Sequence, residues 1–395
     1  MKILQVNSVY GKGSTGKIVS CIHNGLLENG YQSIVCYGRG KKSREKNIIK
    51  ISSETEAKIH SVFSRLFGVD FGYSFFATNK LINIIKNEKP DVVHLHCLNS
   101  HFVNVYKLLN YLKTQKIKTV LTLHAEIMHT AGCEHAYQCT KWKTECSNCN
   151  LIKGALSSFF RDDAKHCYYL MKECFEKYDN LTIVGVSDWL LSLAKESPVI
   201  NSSPKAYVTI HNGIDTSIFH YSYDENIKRR YNIEDNKKVV LHVTPNFLSD
   251  VKGGKYVIEL AKRMINYIFV VVGYNGITDN LPNNIIPIRH TNNQVELAKL
   301  YSVADCFICT SKCESLPTVC IEAISCGGNV VAFDVGGVKE TIPEERGAVV
   351  AFGDLDDFEK KVIEYCNEGK KNIGVDNELD YKRMVNDYIK VYGGV

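Results

Sequence analysis

The chain has 395 residues, too many for one ordinary core and suited to two domains of roughly 200 residues each. With 45% apolar and 23% charged residues it has the composition of a soluble globular protein, which excludes disorder and low complexity. The net charge of +5 is uneven: residues 1–215 hold 27 Lys and Arg against 18 Asp and Glu, and the remainder 21 against 25, so the N-terminal half alone is basic. A basic face suits anionic lipid, a phosphate-bearing substrate or nucleic acid, and equally a plain solvated surface.

The start, Met1-Lys2-Ile3-Leu4-Gln5-Val6-Asn7, enters a strand-like run directly, with no basic segment, apolar stretch and cleavage site of a signal peptide. The most apolar runs, such as 268–273, are about six residues, against the roughly 18–20 of a membrane-spanning helix. A cytoplasmic chain is expected, and its 15 cysteines then read as reduced thiols, most of them packed as small apolar residues.

Short apolar runs at 2–6, 33–37, 92–95, 119–123, 182–186 and 206–210 read as strands, separated by amphipathic stretches at about 16–28, 76–88, 102–114, 159–177 and 188–196. After His211-Asn212-Gly213-Ile214-Asp215 the rhythm restarts: strands at 238–243, 268–272, 306–309 and 330–333, helices at 254–265, 293–303 and 317–326. The expectation is an α/β protein of two doubly wound Rossmann-like domains facing across a cleft, one over 1–215 and one over 216–379.

Two segments carry chemistry. Gly11-Lys12-Gly13-Ser14-Thr15-Gly16 follows the first strand and opens the first helix, where glycines allow a tight turn and helix N–H groups attract an anion. Read literally it is a dinucleotide fingerprint, and Arg39 with the lysines after it could meet a 2′-phosphate, so an NADP-dependent oxidoreductase is one reading. That reading leaves the second wound domain unexplained. The other segment is Ser311-Lys312-Cys313-Glu314-Ser315-Leu316-Pro317-Thr318-Val319-Cys320-Ile321-Glu322. Glu314 lies just past a strand end, Pro317 suits the first position of a helix, and Glu322 lies two turns inside it on roughly the same side. Helix N–H groups near Thr318 and Val319 can take a diphosphate, while one carboxylate accepts from ribose hydroxyls and the other holds a sugar. Glu322 could equally be a solvated residue of an amphipathic helix.

With Gly13-Ser14-Thr15-Gly16, Asp91-Val92-Val93-His94-Leu95-His96, Thr122-Leu123-His124, the 211–215 segment with Phe219, Lys252-Gly253, Glu314 with Glu322, and Asp334-Val335-Gly336-Gly337-Val338-Lys339-Glu340, the sequence resembles the retaining glycosyltransferases of family four, which have the GT-B fold. The resemblance covers nearly the whole chain, and its N-terminal half looks most like bacterial transferases of capsule, exopolysaccharide or colanic-acid-type pathways. It implies a UDP- or GDP-linked sugar donor and a lipid-linked or other saccharide acceptor at the inner membrane surface, with no nucleic-acid partner and no catalytic cofactor. It implies that Glu322 binds the donor ribose, that Glu314 and the backbone of Leu316, Pro317, Thr318 and Val319 contact sugar and phosphates, and that Lys252 neutralises the diphosphate. Gly13, Ser14, Thr15 and Gly16 would close on the donor, His124 would reach the sugar, and the last helix, about 380–395, would cross back onto the N-terminal domain. Thr244-Pro245-Asn246 stands where the family has Gly-Arg, so Asn246 takes the place of a phosphate-binding arginine; Ala125 replaces the Asp that commonly follows the family histidine. A sugar-nucleotide epimerase of the same fold is a further alternative, and a solute-binding protein a third.

Between His124 and the helix expected near 159 lie Cys133, Cys139, Cys146 and Cys149 in a polar stretch. Cys146-Ser147-Asn148-Cys149 is the usual half of a structural zinc site, which the other two cysteines could complete. Four independent thiols and a redox pair at 146 and 149 are the alternatives.

Overall fold

The computed structural model describes all residues except 152–157, 159–160, 202–205, 278–280, 292, 371–376 and 395. The chain forms two compact units, Met1–His211 with Met384–Val395, and Asn212–Arg383.

The first unit holds a seven-stranded, all-parallel sheet of β1 (Lys2–Asn7), β2 (Gln32–Tyr37), β3 (Ile48–Lys50), β4 (Val92–Leu95), β5 (Thr119–Leu123), β6 (Leu181–Gly185) and β7 (Ala206–Thr209), in the order β3-β2-β1-β4-β5-β6-β7. Its strands read as continuous apolar runs because both faces are covered. The helices are α1 (Gly13–Glu28), α2 (Glu54–Phe67), α3 (Phe75–Glu88), α4 (Val105–Thr114), α5 (Ile127–Thr130), α6 (Ala164–Phe175) and α7 (Asp188–Glu196). Ser53, Asn104 and Ser187 cap α2, α4 and α7 by accepting an N–H of the first turn, the reason each helix starts where it does.

The second unit holds α8 (Glu225–Arg230), β8 (Lys238–Val243), α9 (Gly254–Arg263), β9 (Tyr267–Val272), β10 (Ile285–Ile288), α10 (Gln294–Val303), β11 (Cys306–Cys309), α11 (Thr318–Ser325), β12 (Asn329–Phe333), β13 (Gly347–Val350) and α12 (Leu355–Glu368). Its six strands are parallel, in the order β10-β9-β8-β11-β12-β13. Each sheet reverses its winding beside its first strand, between β1 and β4 and between β8 and β11. In such sheets the loops leaving the paired strands at the reversal splay apart and leave room for a ligand.

The last helix, α13 (Tyr381–Gly393), packs into the first unit. His94 Nδ1 lies 2.6 Å from the Tyr392 hydroxyl, Thr122 Oγ1 lies 3.0 Å from that of Tyr388, and Lys118 donates to the Tyr392 carbonyl at 2.7 Å. Met384, Val385, Tyr388 and Tyr392 are buried there.

Every expected strand is present, but β3, β10, β13, α2, α5, α8 and α12 are additions to the reading. The helix expected at 159–177 runs over Ala164–Phe175, and 159–160 lie outside the described residues, as does 395 at the expected end of the last helix. Pro317 is the cap of α11, with ψ 105°, and Thr318 is its first helical residue; the proline sits one position earlier than expected because its backbone is extended.

Candidate active site

In the second unit the loops after β8 and β11 meet at the winding reversal. A short 3-10 turn, Asp250–Lys252, ends at Gly253, and α9 starts immediately after it. Gly253 has φ 68°, and a Cβ there would stand 1.8 Å from the Thr310 carbonyl oxygen, so only glycine lets this turn lie against the end of β11. Lys312 N–H donates to the Val251 carbonyl at 2.8 Å, and the Thr310 hydroxyl donates to the Gly253 carbonyl at 3.1 Å. This lacing sets the Lys252 ammonium 2.7 Å from Glu314 Oε1. Burial pulls the Lys252 pKa down, but the charge of Glu314 and its hydrogen bond outweigh that, so the net shift is upward and the ammonium is charged at neutral pH.

Glu314 is anchored from its other side. Gly337 N–H donates to its carbonyl at 3.0 Å, and Gly336, at φ 60°, lies so close that a Cβ would stand 1.9 Å from that oxygen. The Asp334–Glu340 segment singled out in the sequence is therefore the support of the Glu314 backbone.

Glu322, on α11, is only 7% exposed, which rules out the solvated-face reading. The Tyr301 hydroxyl donates to its Oε2 at 3.0 Å. Burial first, and the Glu322 charge second, push the Tyr301 phenol well above its ordinary range, so it remains a donor. The Tyr301 ring makes edge contacts with those of Phe219 and Phe307 at centroid separations of 6.3 and 5.5 Å. Leu316 is buried, Thr318 and Val319 form the first turn of α11 with no side-chain cap, and Asn246 is exposed, its Oδ1 accepting from Leu248 N–H at 3.2 Å.

Two residues here escaped sequence reasoning. Tyr301 belongs to a helix whose apolar pattern marked it only as core. His242, inside β8, is buried with Nδ1 3.1 Å from the Ile308 carbonyl, and burial lowers its pKa to about 4. A polar residue inside an apolar strand is the signal that marks it.

In the first unit, Gly13, Ser14 and Thr15 form the exposed or half-buried first turn of α1, and Gly16 is buried against Val9. His124, just past β5, is half-buried with Nε2 3.2 Å from His96 Nδ1 and its ring stacked on that of His96. His96 Nε2 lies 3.3 Å from Gln5 Oε1. Burial lowers His124 to about 4 and His96 well below its usual range, so both rings are neutral at pH 7. Arg39 is tied down: its Nε donates to Glu54 at 2.8 Å and its Nη1 to the Ser100 carbonyl at 3.0 Å.

Cys133, Cys139, Cys146 and Cys149 are all half-buried and free of disulfides. Burial and then the charges of the neighbouring thiols of this same set raise Cys133 and Cys146 to about 12, and burial, then the charges of Asp162 and Cys139, raise Cys149 as well. The four thus lie within electrostatic reach of one another. Among the described residues, the groups of three or more metal-capable atoms all within 4.8 Å of one another include no three of them.

Residues 17–218 match the family described as Glycosyltransferase Family 4, and residues 224–375 match Glycosyl transferases group 1. WcaC of Escherichia coli K12, named as a colanic acid biosynthesis glycosyl transferase, is 22% identical over 366 residues, covering 89% of this chain and 87% of that protein. The N-acetyl-alpha-D-glucosaminyl L-malate synthase of Bacillus anthracis is 22% identical over 338 residues, covering 81% and 79%. Among solved structures, the sucrose-phosphate synthase of Thermosynechococcus elongatus superposes with a TM-score of 0.67 at 15% identity, covering 99% of this chain and 98% of that one. Anabaena Alr3699/HepE in complex with UDP-glucose does so with a TM-score of 0.67 at 14% identity, covering all of both chains. These likenesses identify both units as those of the GT-B fold.

Proposed function

The chain belongs to glycosyltransferase family 4, and we propose that it moves a sugar, with retention of configuration, from a UDP- or GDP-linked donor to a lipid-linked or other saccharide acceptor in building a bacterial surface polysaccharide. Family membership sets aside the oxidoreductase reading, and the tethered Arg39 agrees with that. The observation that carries the proposal is the winding reversal of the second unit, where Lys252 and Glu314 pair at 2.7 Å near the uncapped start of α11 and Glu322 is held by Tyr301. The UDP-glucose bound by the Anabaena neighbour supports uridine donors as the first to try, and the name of WcaC supports polysaccharide assembly.

In this reading Glu322 accepts from the donor ribose, with Tyr301 holding the carboxylate in place. Glu314 and the backbone from Leu316 to Val319 take the sugar and phosphates, and Asn246, in the loop after β8, takes the place of the family's phosphate-binding arginine. As the bond from the anomeric carbon to the diphosphate breaks, negative charge grows on the leaving oxygen. Lys252 and the first N–H groups of α11 stabilise that charge, the electrostatic term that dominates such catalysis. The acceptor hydroxyl attacks the same face, its proton passing to a phosphate oxygen of the departing nucleotide. In the first unit, which receives the acceptor, His124 serves the transferred sugar and the Gly13–Gly16 turn the donor. We place the enzyme in the cytoplasm at the inner face of the membrane; among the described residues no helix is long and apolar enough to cross one.

The test is steady-state kinetics with a panel of nucleotide sugars, with and without a lipid-linked acceptor. Glu322→Ala should raise the donor KM and Lys252→Ala should mainly lower kcat, each by roughly ten- to a hundredfold, the loss of one charge-assisted hydrogen bond. Wild-type kinetics in both variants removes the donor-site assignment. Turnover of the donor without acceptor, giving an isomerised sugar, favours the epimerase.

We also propose that Cys133, Cys139, Cys146 and Cys149 hold a structural zinc. The support is that the four thiols lie within electrostatic reach of one another, in a segment whose regular structure is a single 3-10 turn, Lys141–Lys143. Zinc would draw the four sulfurs into a tetrahedron at ~2.3 Å and displace their protons. Elemental analysis of protein purified without added metal should find about one zinc per chain, lost on Cys146→Ser; metal-free protein with the loop still protected from proteolysis ends the idea.

A further inference from the structure

Helix α2 is turned the wrong way round for a soluble protein. Its inward face is Ala57, His60 and Ser64. Its apolar residues, Ile59, Val62, Phe63, Leu66 and Phe67, follow the i, i+3, i+4, i+7, i+8 spacing of a helical stripe, and all are exposed. An ordinary surface helix buries such a stripe and wets the opposite side. The stripe continues onto the first turn of α3, where Phe75 is exposed and Phe76 is 84% exposed. Between them runs a groove of about 660 Å³ with walls that include Ile59, Phe63, Phe67, Tyr73, Phe75 and Phe76. Its floor is fixed: the buried His60 lies 2.7 Å from the Ser74 hydroxyl through Nδ1 and 2.7 Å from the Asp70 carbonyl through Nε2.

Charge borders this face. The loop from β2 to β3 carries Lys41, Lys42, Arg44 and Lys46, all exposed. It is tied to the start of α2, where Glu54 receives Arg39 at 2.8 Å and Lys50 at 3.0 Å. The acids of the first turn are thereby spent within the fold: Glu54 on those two cations, and Glu56 on the Ala77 N–H at 2.9 Å. A second cavity, lined in part by Lys42, Lys50, Lys80 and Phe76, adjoins the groove and shares Phe76 with it.

We propose that the exposed face of α2, the Phe75–Phe76 turn and the Lys41–Lys46 loop together form a docking surface for an anionic lipid bilayer. The proposal deepens the reading of a lipid-linked acceptor and rests on it for its purpose, though not for its test. The apolar stripe enters the boundary between headgroups and acyl chains while the loop meets lipid phosphates, and two such signals together hold a protein that one alone would release. A second copy of the chain is the competing occupant, but a face edged by four cations would set like charges against each other across a two-fold axis.

The experiment is co-sedimentation of the full chain with vesicles, with no donor or acceptor present. One set is phosphatidylcholine and the other contains about one third phosphatidylglycerol. The wild type should bind the anionic set more tightly, with binding weakened by salt. Phe63→Ser with Phe76→Ser should lower partition about tenfold or more at low salt, and Phe76→Ser alone, at a side chain 84% exposed, should lower it in part with an unchanged melting curve. Lys41→Glu with Lys42→Glu and Arg44→Glu should abolish the preference for anionic vesicles. Vesicle binding by a protein that turns over no nucleotide sugar supports the surface and sinks only the transfer reading. Absence of binding to both sets, or wild-type binding by the serine variant, overturns the proposal, as does a dimer that the serine variant dissociates and that ignores vesicles.

Discussion

A carboxylate kept out of water by its neighbours is a liability that changes with pH, and Glu126 is one. It is buried and accepts the Ala136 N–H at 3.2 Å, yet burial outweighs that bond and raises its pKa to about 7. The folded value lies above the unfolded one of about 4.5, so the fold prefers the protonated form. Below pH ~4.5 the group has no effect on stability; from there to pH ~7 the unfolded chain releases its proton first and stability falls, by on the order of 3 kcal/mol, before levelling off. Glu126→Gln keeps the acceptor for Ala136 and removes the ionisation. It should therefore match the wild type in urea unfolding at pH 4 and exceed it at pH 8, and equal stability at both pH values contradicts the assignment. Of the residues at this candidate site, Glu314 and Glu322 stood out in the sequence because one follows a strand end and the other lies in the helix that comes next, whereas Lys252 came only from the family resemblance. Tyr301 and His242 were not legible, because they reach the site from segments that otherwise read as core.

At the scale of elements, most strands were legible from their apolar runs, whereas β3 has only three residues, β10 is interrupted by Pro287 and β13 opens on Gly347. Helix α2 is a different kind of omission. Its stripe has full helical periodicity, and the structure turns that stripe outward, so burial cannot be inferred from pattern alone. The 3-10 turn at Asp250–Lys252 shows how one element can place a charge. Gly253→Ala would force an L residue into left-handed φ and a methyl into the Thr310 carbonyl, costing ~2 kcal/mol or more. The variant should unfold at lower urea and lose donor affinity, since the turn carrying Lys252 must shift. Unchanged affinity would mean that Lys252 is placed by something other than this turn.

For the whole molecule, the division into two wound units was legible from the restart of the strand rhythm near 211–238. What the rhythm does not convey is that the chain leaves the first unit after His211 and re-enters it at Met384. The exit and return segments run side by side, Ile214 bonding to the Leu379 carbonyl at 2.9 Å and Tyr381 N–H to the Ile214 carbonyl at 2.8 Å. A chain ending at Leu379 would lack Met384, Val385, Tyr388 and Tyr392, each contributing ~1.5–3 kcal/mol by burial, against a total stability of ~5–15 kcal/mol for a domain. Its first unit should show no cooperative unfolding transition, and a synthetic peptide of 380–394 should restore one; a cooperative transition without the peptide refutes this.

The same closing helix sets a timetable. During synthesis the first unit emerges with its sheet exposed where α13 will lie, and at 5–20 residues per second the ribosome needs roughly 10–35 s to make the second unit before that helix appears. Through that interval His94, Thr122 and their apolar neighbours face water or a chaperone, so the half of the enzyme made first is the half completed last.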